Sequence, residues 1–326
     1  MKIDYIQGSE ELLDNALGKA AKQASKSTAA IRSANIRAIS KEKAKIRFTA
    51  EYLYERFSKI VRMFPTIEEM HPFHKELISV SLDVKTLREN LGHMQKTGSL
   101  IKNIAATQIR KIRKNASKKD AIAMKNQFIA RAASMLKRAS PSIEFLRAAR
   151  KEFIELPELD FSLPAILVAG FPNVGKTTLL KRLTGSEPEI APYPFTTKGI
   201  KVGHMEYKFH EILVIDTPGL LDREYEKRNP VEKKAISALK HVAGMVLFVV
   251  DPTLSCGYPL KEQVSLMKEI KSNFKGRKFL VVLNKSDIAS EDEMKLAAKL
   301  VGSCVVSGET EKTGLKEQVA KVLIGK

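Results

Sequence analysis

The chain has no tryptophan, only two cysteines and few aromatic residues, 6% of its 326 positions. Cys256 and Cys304 lie far apart. They cannot build a disulfide framework or the paired-cysteine spacing of a zinc site, and a reducing compartment is expected. Cys304 is expected as an inert core residue in a strand. Long apolar runs are also missing. The longest, Val242 to Val250, is far short of the ~20 residues that span a bilayer as a helix and suits a buried central strand. No secretory apolar region opens the chain. His71 and His74 have no cysteine near them, so a metal site is not indicated and they are expected to pack or cap.

Acidic charge is scarce in one half only. The net charge is +19, and residues 1–150 carry 30 Lys and Arg against 14 Asp and Glu. Residues 151–326 carry 26 against 23 and are close to neutral. Such asymmetry points to a polyanionic partner for the first half, against the plainer reading of a solubilising helical surface. Its sharpest stretch, IRKIRKNASKK, contains Arg110, Lys111, Arg113, Lys114, Lys118 and Lys119. Flexible point charges of this kind suit backbone phosphates more than base edges. Few aromatics interleave, which disfavours stacking along an extended single strand and favours structured RNA. Charge alone does not separate RNA from DNA or from an anionic membrane.

Proline and glycine are absent between Ala20 and Met63. Phe48, Tyr52, Leu53, Phe57, Ile60, Val61 and Phe64 recur there at helical spacing, which predicts a long amphipathic helix ended by Pro65. Ile67 to Leu77 reads as a short helical segment interrupted near Pro72. Val84 to Leu91, Leu100 to Ile112, Ala121 to Leu136 and Ser142 to Phe153 read as further helices. Together they imply an all-α bundle. Pro157 and Pro164 bracket a linker, giving a helical domain over 1–160 and a second domain over 161–326.

The second domain opens on an apolar run, Ala165 to Ala169, that feeds GFPNVGKTT. Gly170 and Gly175 let the backbone curl so that the N–H groups of Gly170, Phe171, Pro172's neighbours Asn173 and Val174, and the start of the following helix face one concavity. Lys176 reaches β- and γ-phosphates, the Thr177 hydroxyl suits Mg²⁺, and Thr178 continues the cradle. A second apolar run ends in Asp216-Thr217-Pro218-Gly219. Asp216 suits Mg²⁺ through water, and the Gly219 N–H suits a γ-phosphate. A third ends in Asn284-Lys285-Ser286-Asp287. The Asp287 carboxylate matches the paired N–H donors of guanine, which adenine lacks. Asn284 can bond the base edge or brace the phosphate loop, and the Lys285 stem can cover the ring. Ser307-Gly308-Glu309 would offer backbone N–H groups to guanine O6. GTP and GDP are therefore the expected ligands. Apolar runs at 165–169, 201–207, 211–215, 244–250, 278–283 and 303–306 predict a mainly parallel sheet, with 201–207 and 211–215 as a hairpin.

These segments resemble the nucleolar GTP-binding proteins of ribosome biogenesis, a branch of the Obg-related GTPases. GFPNVGKTTLLKRLTG, APYPFTTKGIKVGHMEY, VIDTPGLLD, HPFHKELI and NIAATQIRKIRKNAS carry the resemblance, from about residue 10 onward. It implies a helical bundle before a P-loop GTPase core. It also implies assembly of the large ribosomal subunit, contact with precursor ribosomal RNA, and further assembly factors as partners. The chain stops at Lys326, so a short archaeal, cytoplasmic, monomeric form without membrane attachment is expected. The family pattern gives Thr197, with Thr196 beside it, as the switch threonine on Mg²⁺. Catalytic roles are thus implied for Asn173, Lys176, Thr197 and Gly219. SGE stands where relatives carry serine-alanine.

Many GTPases orient water with a glutamine directly after the glycine of DTxG; here that residue is Leu220, which cannot do so. Two substitutes are expected: K⁺ near Asn173, as in GTPases with asparagine at this position, or a group from RNA or a partner. Asp222 has suitable chemistry nearby. The alternatives to an assembly GTPase are a GTP-gated module for tRNA or anionic membrane, and a protein that holds nucleotide as a structural brace.

Overall fold

The structure, a computed structural model, describes residues 3–113, 116–194, 199–223, 228–307 and 314–325. It divides into two compact units, one of Met1–Met70 with Ser81–Ile154 and one of His71–Val80 with Glu155–Lys326.

The first unit contains helices α1 (Ser9–Ser27), α2 (Ala34–Met63), α4 (Val84–Lys111) and α5 (Lys118–Ile154), with a 3-10 turn at Ile67–Glu69. Helix α2 packs on α1, α4 and α5. Its buried stripe runs through Ile39, Ile46, Leu53, Phe57, Ile60 and on to Phe64, while Phe48, Tyr52 and Val61 are only half-buried. The helical run from Ala20 is not continuous. The chain breaks between Ser27 and Ala34, where Thr28 turns its hydroxyl onto Ala24 O at 2.8 Å. Hydroxyl side chains that bond the backbone compete with helix continuation.

Two expected breaks are absent. Helix α4 runs unbroken through Gly92 and Gly98, with Leu87, Met94, Ile101 and Ala105 buried along one face. Gly98 permits a close approach, since a Cβ there would lie 3.3 Å from Phe57 Cδ2. Helix α5 passes through Pro141. Its buried positions Leu136, Ala139, Ile143, Leu146, Ala149 and Phe153 keep helical spacing across the proline, so burial outweighs the lost hydrogen bond. Phe153 meets Phe64 edge-on at 5.4 Å.

The second unit takes α3 (Pro72–Ser81), which departs from a boundary at residue 160. The reason is an aromatic cluster. The His71 ring stacks on Phe161 at 3.8 Å, and Phe73 packs on Phe161 and Tyr193. His74 Nε2 lies 2.9 Å from Pro157 O, and His71 Nδ1 accepts from Phe73 N–H. Both histidines therefore pack and cap.

The rest of this unit is a sheet alternating with helices. Its strands are β1 (Ala165–Ala169), β2 (Glu189–Ala191), β3 (Ile200–Tyr207), β4 (His210–Asp216), β5 (Ala243–Val250), β6 (Lys278–Leu283) and β7 (Val305–Val306). Its helices are α6 (Lys176–Thr184), α7 (Pro230–Leu239), α8 (Leu260–Asn273), α9 (Glu291–Val301) and α10 (Gly314–Ile324). The strand order is β2-β3-β4-β1-β5-β6-β7. Only β3 runs against the others among the described strands, paired antiparallel to β2 and β4. Strand β5 is central and buried. Strand β2 was not foreseen from its sequence, and Cys304 lies half-buried just before β7 rather than in it. Among the described residues, no helix is long and apolar enough to cross a membrane.

Candidate nucleotide-binding site

The parallel order brings the ends of β1, β4, β5 and β6 to one edge of the sheet, where such folds hold ligands. Between β1 and α6 the loop runs with Gly170 at φ +138°, Asn173 at +63° and Gly175 at +96°. Glycine is needed at two of these places on two counts each. A Cβ on Gly170 would lie 2.5 Å from Val249 O, and one on Gly175 would lie 2.3 Å from Asn284 Nδ2. Asn173 is exposed and adopts a left-handed conformation that asparagine tolerates better than most residues.

A cleft of about 900 Å³ opens over this loop. Pro172, Asn173, Gly175, Lys176, Thr177 and Thr178 form its floor. Lys176 is buried, and its ammonium donates to Gly170 O and Phe171 O, both at 2.8 Å. Burial holds its pKa below the ordinary lysine value, with Asp216 opposing the shift. Phe171 and Val174 are buried below the loop, and Phe171 stacks on Tyr258 at 4.1 Å.

Asp216, at the end of β4, faces the start of α6. Thr177 Oγ1 donates to Asp216 Oδ2 at 3.0 Å. Asp216 is only 1% exposed, and burial raises its carboxyl above the usual range. Its Oδ1 is buried without a hydrogen-bond partner among the described residues, an arrangement that leaves one hard oxygen available for a cation. The donor set, a hydroxyl beside a carboxylate, fits Mg²⁺. Lys201 also reaches this place, donating to Thr177 Oγ1 at 3.0 Å.

The turn after β4 buries Thr217 and sets Pro218 and Gly219 at the cleft wall, with Gly219 at φ +85°. The Gly219 N–H donates to Asp222 Oδ2 at 2.9 Å, so the amide expected for a γ-phosphate already holds an internal carboxylate. Leu220 is buried, 1% exposed.

Asn284 resolves its two expected roles in favour of bracing. It is buried, and Nδ2 donates to Val174 O at 2.9 Å, tying the end of β6 to the phosphate loop. Lys285, at φ +60°, donates to Asp251 Oδ2 and Ser255 Oγ, each at 2.7 Å. Asp287 is exposed and has no hydrogen-bond partner among the described residues. Ser307 is buried beside this loop, donating its N–H to Leu283 O at 2.8 Å and accepting from Ser286 N–H at 3.2 Å. Thr196, Thr197, Gly308 and Glu309 lie outside the described residues. Sequence reasoning missed Lys201 and Asp251. Lys201 was reachable through the hairpin register, because pairing Tyr207 with His210 sets Lys201 opposite Asp216.

The basic stretch belongs to the helical unit. Arg110 and Lys111 end α4, Lys118 and Lys119 begin α5, and these four and Arg113 are exposed. Buried Ile112 anchors the connection. Lys114 lies outside the described residues. Cations suit a helix C-terminus, but Lys118 and Lys119 stand at an N-terminus, where the dipole disfavours them. Helix stability therefore does not account for that pair.

Residues 1–160 match the family described as NOG1 N-terminal helical domain, and residues 230–287 match nucleolar GTP-binding protein 1. The chain is 37% identical over 254 residues to an uncharacterized protein of Methanocaldococcus jannaschii, covering 78% of this chain and 71% of that one. It is 34% identical over 261 residues to a probable nucleolar GTP-binding protein 1 of Dictyostelium discoideum, covering 78% of this chain and 39% of that protein. A crystal structure provisionally named nucleolar GTP-binding protein 1, from Plasmodium falciparum, aligns at 30% identity with a TM-score of 0.44, over 52% of this chain and 89% of that one. The chain spans about two fifths of the length of the Dictyostelium relative (39%). On the sequence matches the chain belongs to the nucleolar GTP-binding protein 1 family.

Proposed function

We propose that this chain binds GTP and GDP in the β1–α6 cleft, hydrolyses GTP, and serves assembly of the large ribosomal subunit. In this reading the basic end of its helical unit contacts precursor RNA. The observation that carries the nucleotide reading is the Asn284–Val174 bond. It couples the phosphate loop to a segment whose Asp287 stands exposed without a partner among the described residues, as a guanine reader would. Names of nucleolar GTP-binding relatives support the same ligand.

In this mechanism the loop N–H groups and Lys176 hold the phosphates and offset charge that develops on them. Thr177 and Asp216 would hold Mg²⁺, with Thr197 added from the switch. Bound Mg²⁺ would supply positive charge beside the β- and γ-phosphates. Gly219 N–H exchanges its bond to Asp222 for a γ-phosphate oxygen. Asn173 would hold K⁺, which when bound would supply further positive charge between the phosphates, or a group from the ribosomal particle would make the hydrogen bond that Leu220 cannot. The assembly role and other assembly factors as partners rest on the family, and the RNA contact rests on the charge asymmetry.

Calorimetric titration with GTP, ATP and XTP tests the core of this reading. Asp287→Ala removes two hydrogen bonds to a charged group, each worth ~1.5–3 kcal/mol, so GTP affinity should fall roughly 100-fold or more. Asp287→Asn should shift preference to XTP. Equal affinity of the wild type for GTP and ATP would refute it.

A further inference from the structure

The two cations that reach the head of α6 are not equivalent. Lys176 belongs to the phosphate loop and bonds its carbonyls. Lys201 comes from the other side, from β3. In an antiparallel pair, residues directly opposite project to the same face, and Lys201 is paired with Asp216. The hairpin thus sends a flexible ammonium to the carboxylate that ends β4. It reaches Thr177 Oγ1 at 3.0 Å, and that hydroxyl donates its own proton to Asp216 Oδ2 at 3.0 Å.

A threonine hydroxyl has one proton and two lone pairs. With the proton committed to Asp216, only lone pairs remain, and the ammonium occupies one of them. A divalent ion on the same oxygen would stand about 4 Å from a monovalent one in a partly dry pocket, where like charges repel strongly. The lysine and the metal therefore compete for the head of α6. Asp216 Oδ1, buried and without a partner among the described residues, is a second oxygen left open to the metal.

We propose that Lys201 is a resident counter-cation of this site, a positioning residue that holds Thr177 and Asp216 when Mg²⁺ is away and neutralises phosphate charge in its place. The proposal rests on the nucleotide reading above and adds a property to it. Lys201 weakens Mg²⁺ by competing with it, and it strengthens metal-free nucleotide binding by replacing its charge. Both effects act in one direction: they reduce the coupling between Mg²⁺ and GDP. Because such coupling is reciprocal, it can be read from either ligand.

The test is calorimetric titration of the full chain with GDP, in MgCl₂ and in EDTA, for the wild type, Lys201→Met and Lys201→Arg. Removing Mg²⁺ should weaken GDP by no more than about tenfold in the wild type and in Lys201→Arg, and by about 100-fold or more in Lys201→Met. Equal dependence on Mg²⁺ in Lys201→Met and the wild type, with GDP binding intact, would overturn the proposal alone. So would a loss of 1,000-fold or so in wild-type affinity on adding EDTA, a result that needs no variant to fold. Absence of GDP binding by all three proteins in MgCl₂ would overturn the nucleotide reading, and the role of Lys201 with it.

Discussion

Asn284→Ala separates bracing from base reading. The wild-type amide donates to Val174 O at 2.9 Å, with Asn284 only 3% exposed and Val174 fully buried. Truncation leaves that carbonyl buried without its donor, which costs ~1–3 kcal/mol. It also removes Oδ1, which has no partner among the described residues, and this offsets part of the loss. A net destabilisation of about 1–2 kcal/mol is expected, or a melting point lowered by about 2–8 °C for a unit of this size. The same bond positions the loop between Asn173 and Gly175, so GDP affinity should fall about tenfold, equivalent to ~1.4 kcal/mol. The ratio of GTP to ATP affinity should stay within about threefold of wild type, because Asp287 is untouched. Thermal unfolding and calorimetry on Asn284→Ala and Asp287→Ala give both readouts. An unchanged melting point together with collapsed GTP/ATP discrimination in Asn284→Ala would show that the side chain reads the base and would refute the bracing role.

The potassium question is best put through Asn173→Gly, since alanine at φ +63° adds strain of ~1–2 kcal/mol that glycine avoids. KCl should raise the wild-type hydrolysis rate over NaCl at equal ionic strength, and Asn173→Gly should abolish the difference; equal rates in both salts would leave activation to the ribosomal particle. Exchange of Arg110, Lys111, Lys118 and Lys119 for glutamine should weaken large-subunit RNA binding and reduce the slope of log K against log salt by ~0.7–0.9 per lost phosphate contact, with GDP affinity unchanged; an unaltered slope would mean that these charges meet no phosphate. Burial holds the His74 and His71 pKa values below the ordinary imidazole value of 6.5. The folded protein therefore binds fewer protons than the unfolded chain below that pH, and stability is full above about pH 6.5 and falls as pH drops through the folded values. Melting points between about pH 7 and 5 should decline less steeply for His74→Gln, whose amide can still donate to Pro157 O; parallel curves would refute the assignment.

The core strands were legible because a buried parallel strand is a short apolar run, and in this chain most such runs end in a motif residue. Strand β2, Glu189–Ala191, has no such run and exists through its pairing with β3. Helix boundaries failed for the opposite reason. Gly92, Gly98 and Pro141 read locally as interruptions, but the buried face continues past each of them, and packing outweighs propensity. The Phe161 cluster assigns α3 to the second unit, and no local pattern encodes that. At the site, residue types predicted the loop at the end of β1 and the carboxylate at the end of β4, and they named Asp287, which stands exposed, as the candidate for reading guanine, since phosphate and guanine demand particular chemistry at particular spacing. They did not reveal who occupies those groups before a ligand does. Leu220 illustrates the difference. As a letter it marks a missing glutamine. As a structure it is a core residue, 1% exposed, whose replacement by alanine would cost ~2–5 kcal/mol of stability and report on packing rather than on water. The informative neighbour is Asp222, two positions on, whose carboxylate holds the Gly219 amide at 2.9 Å. In the proposed reading a γ-phosphate would exchange with that carboxylate, as Mg²⁺ would with Lys201, so the ligand would replace one negative and one positive charge already built into the chain.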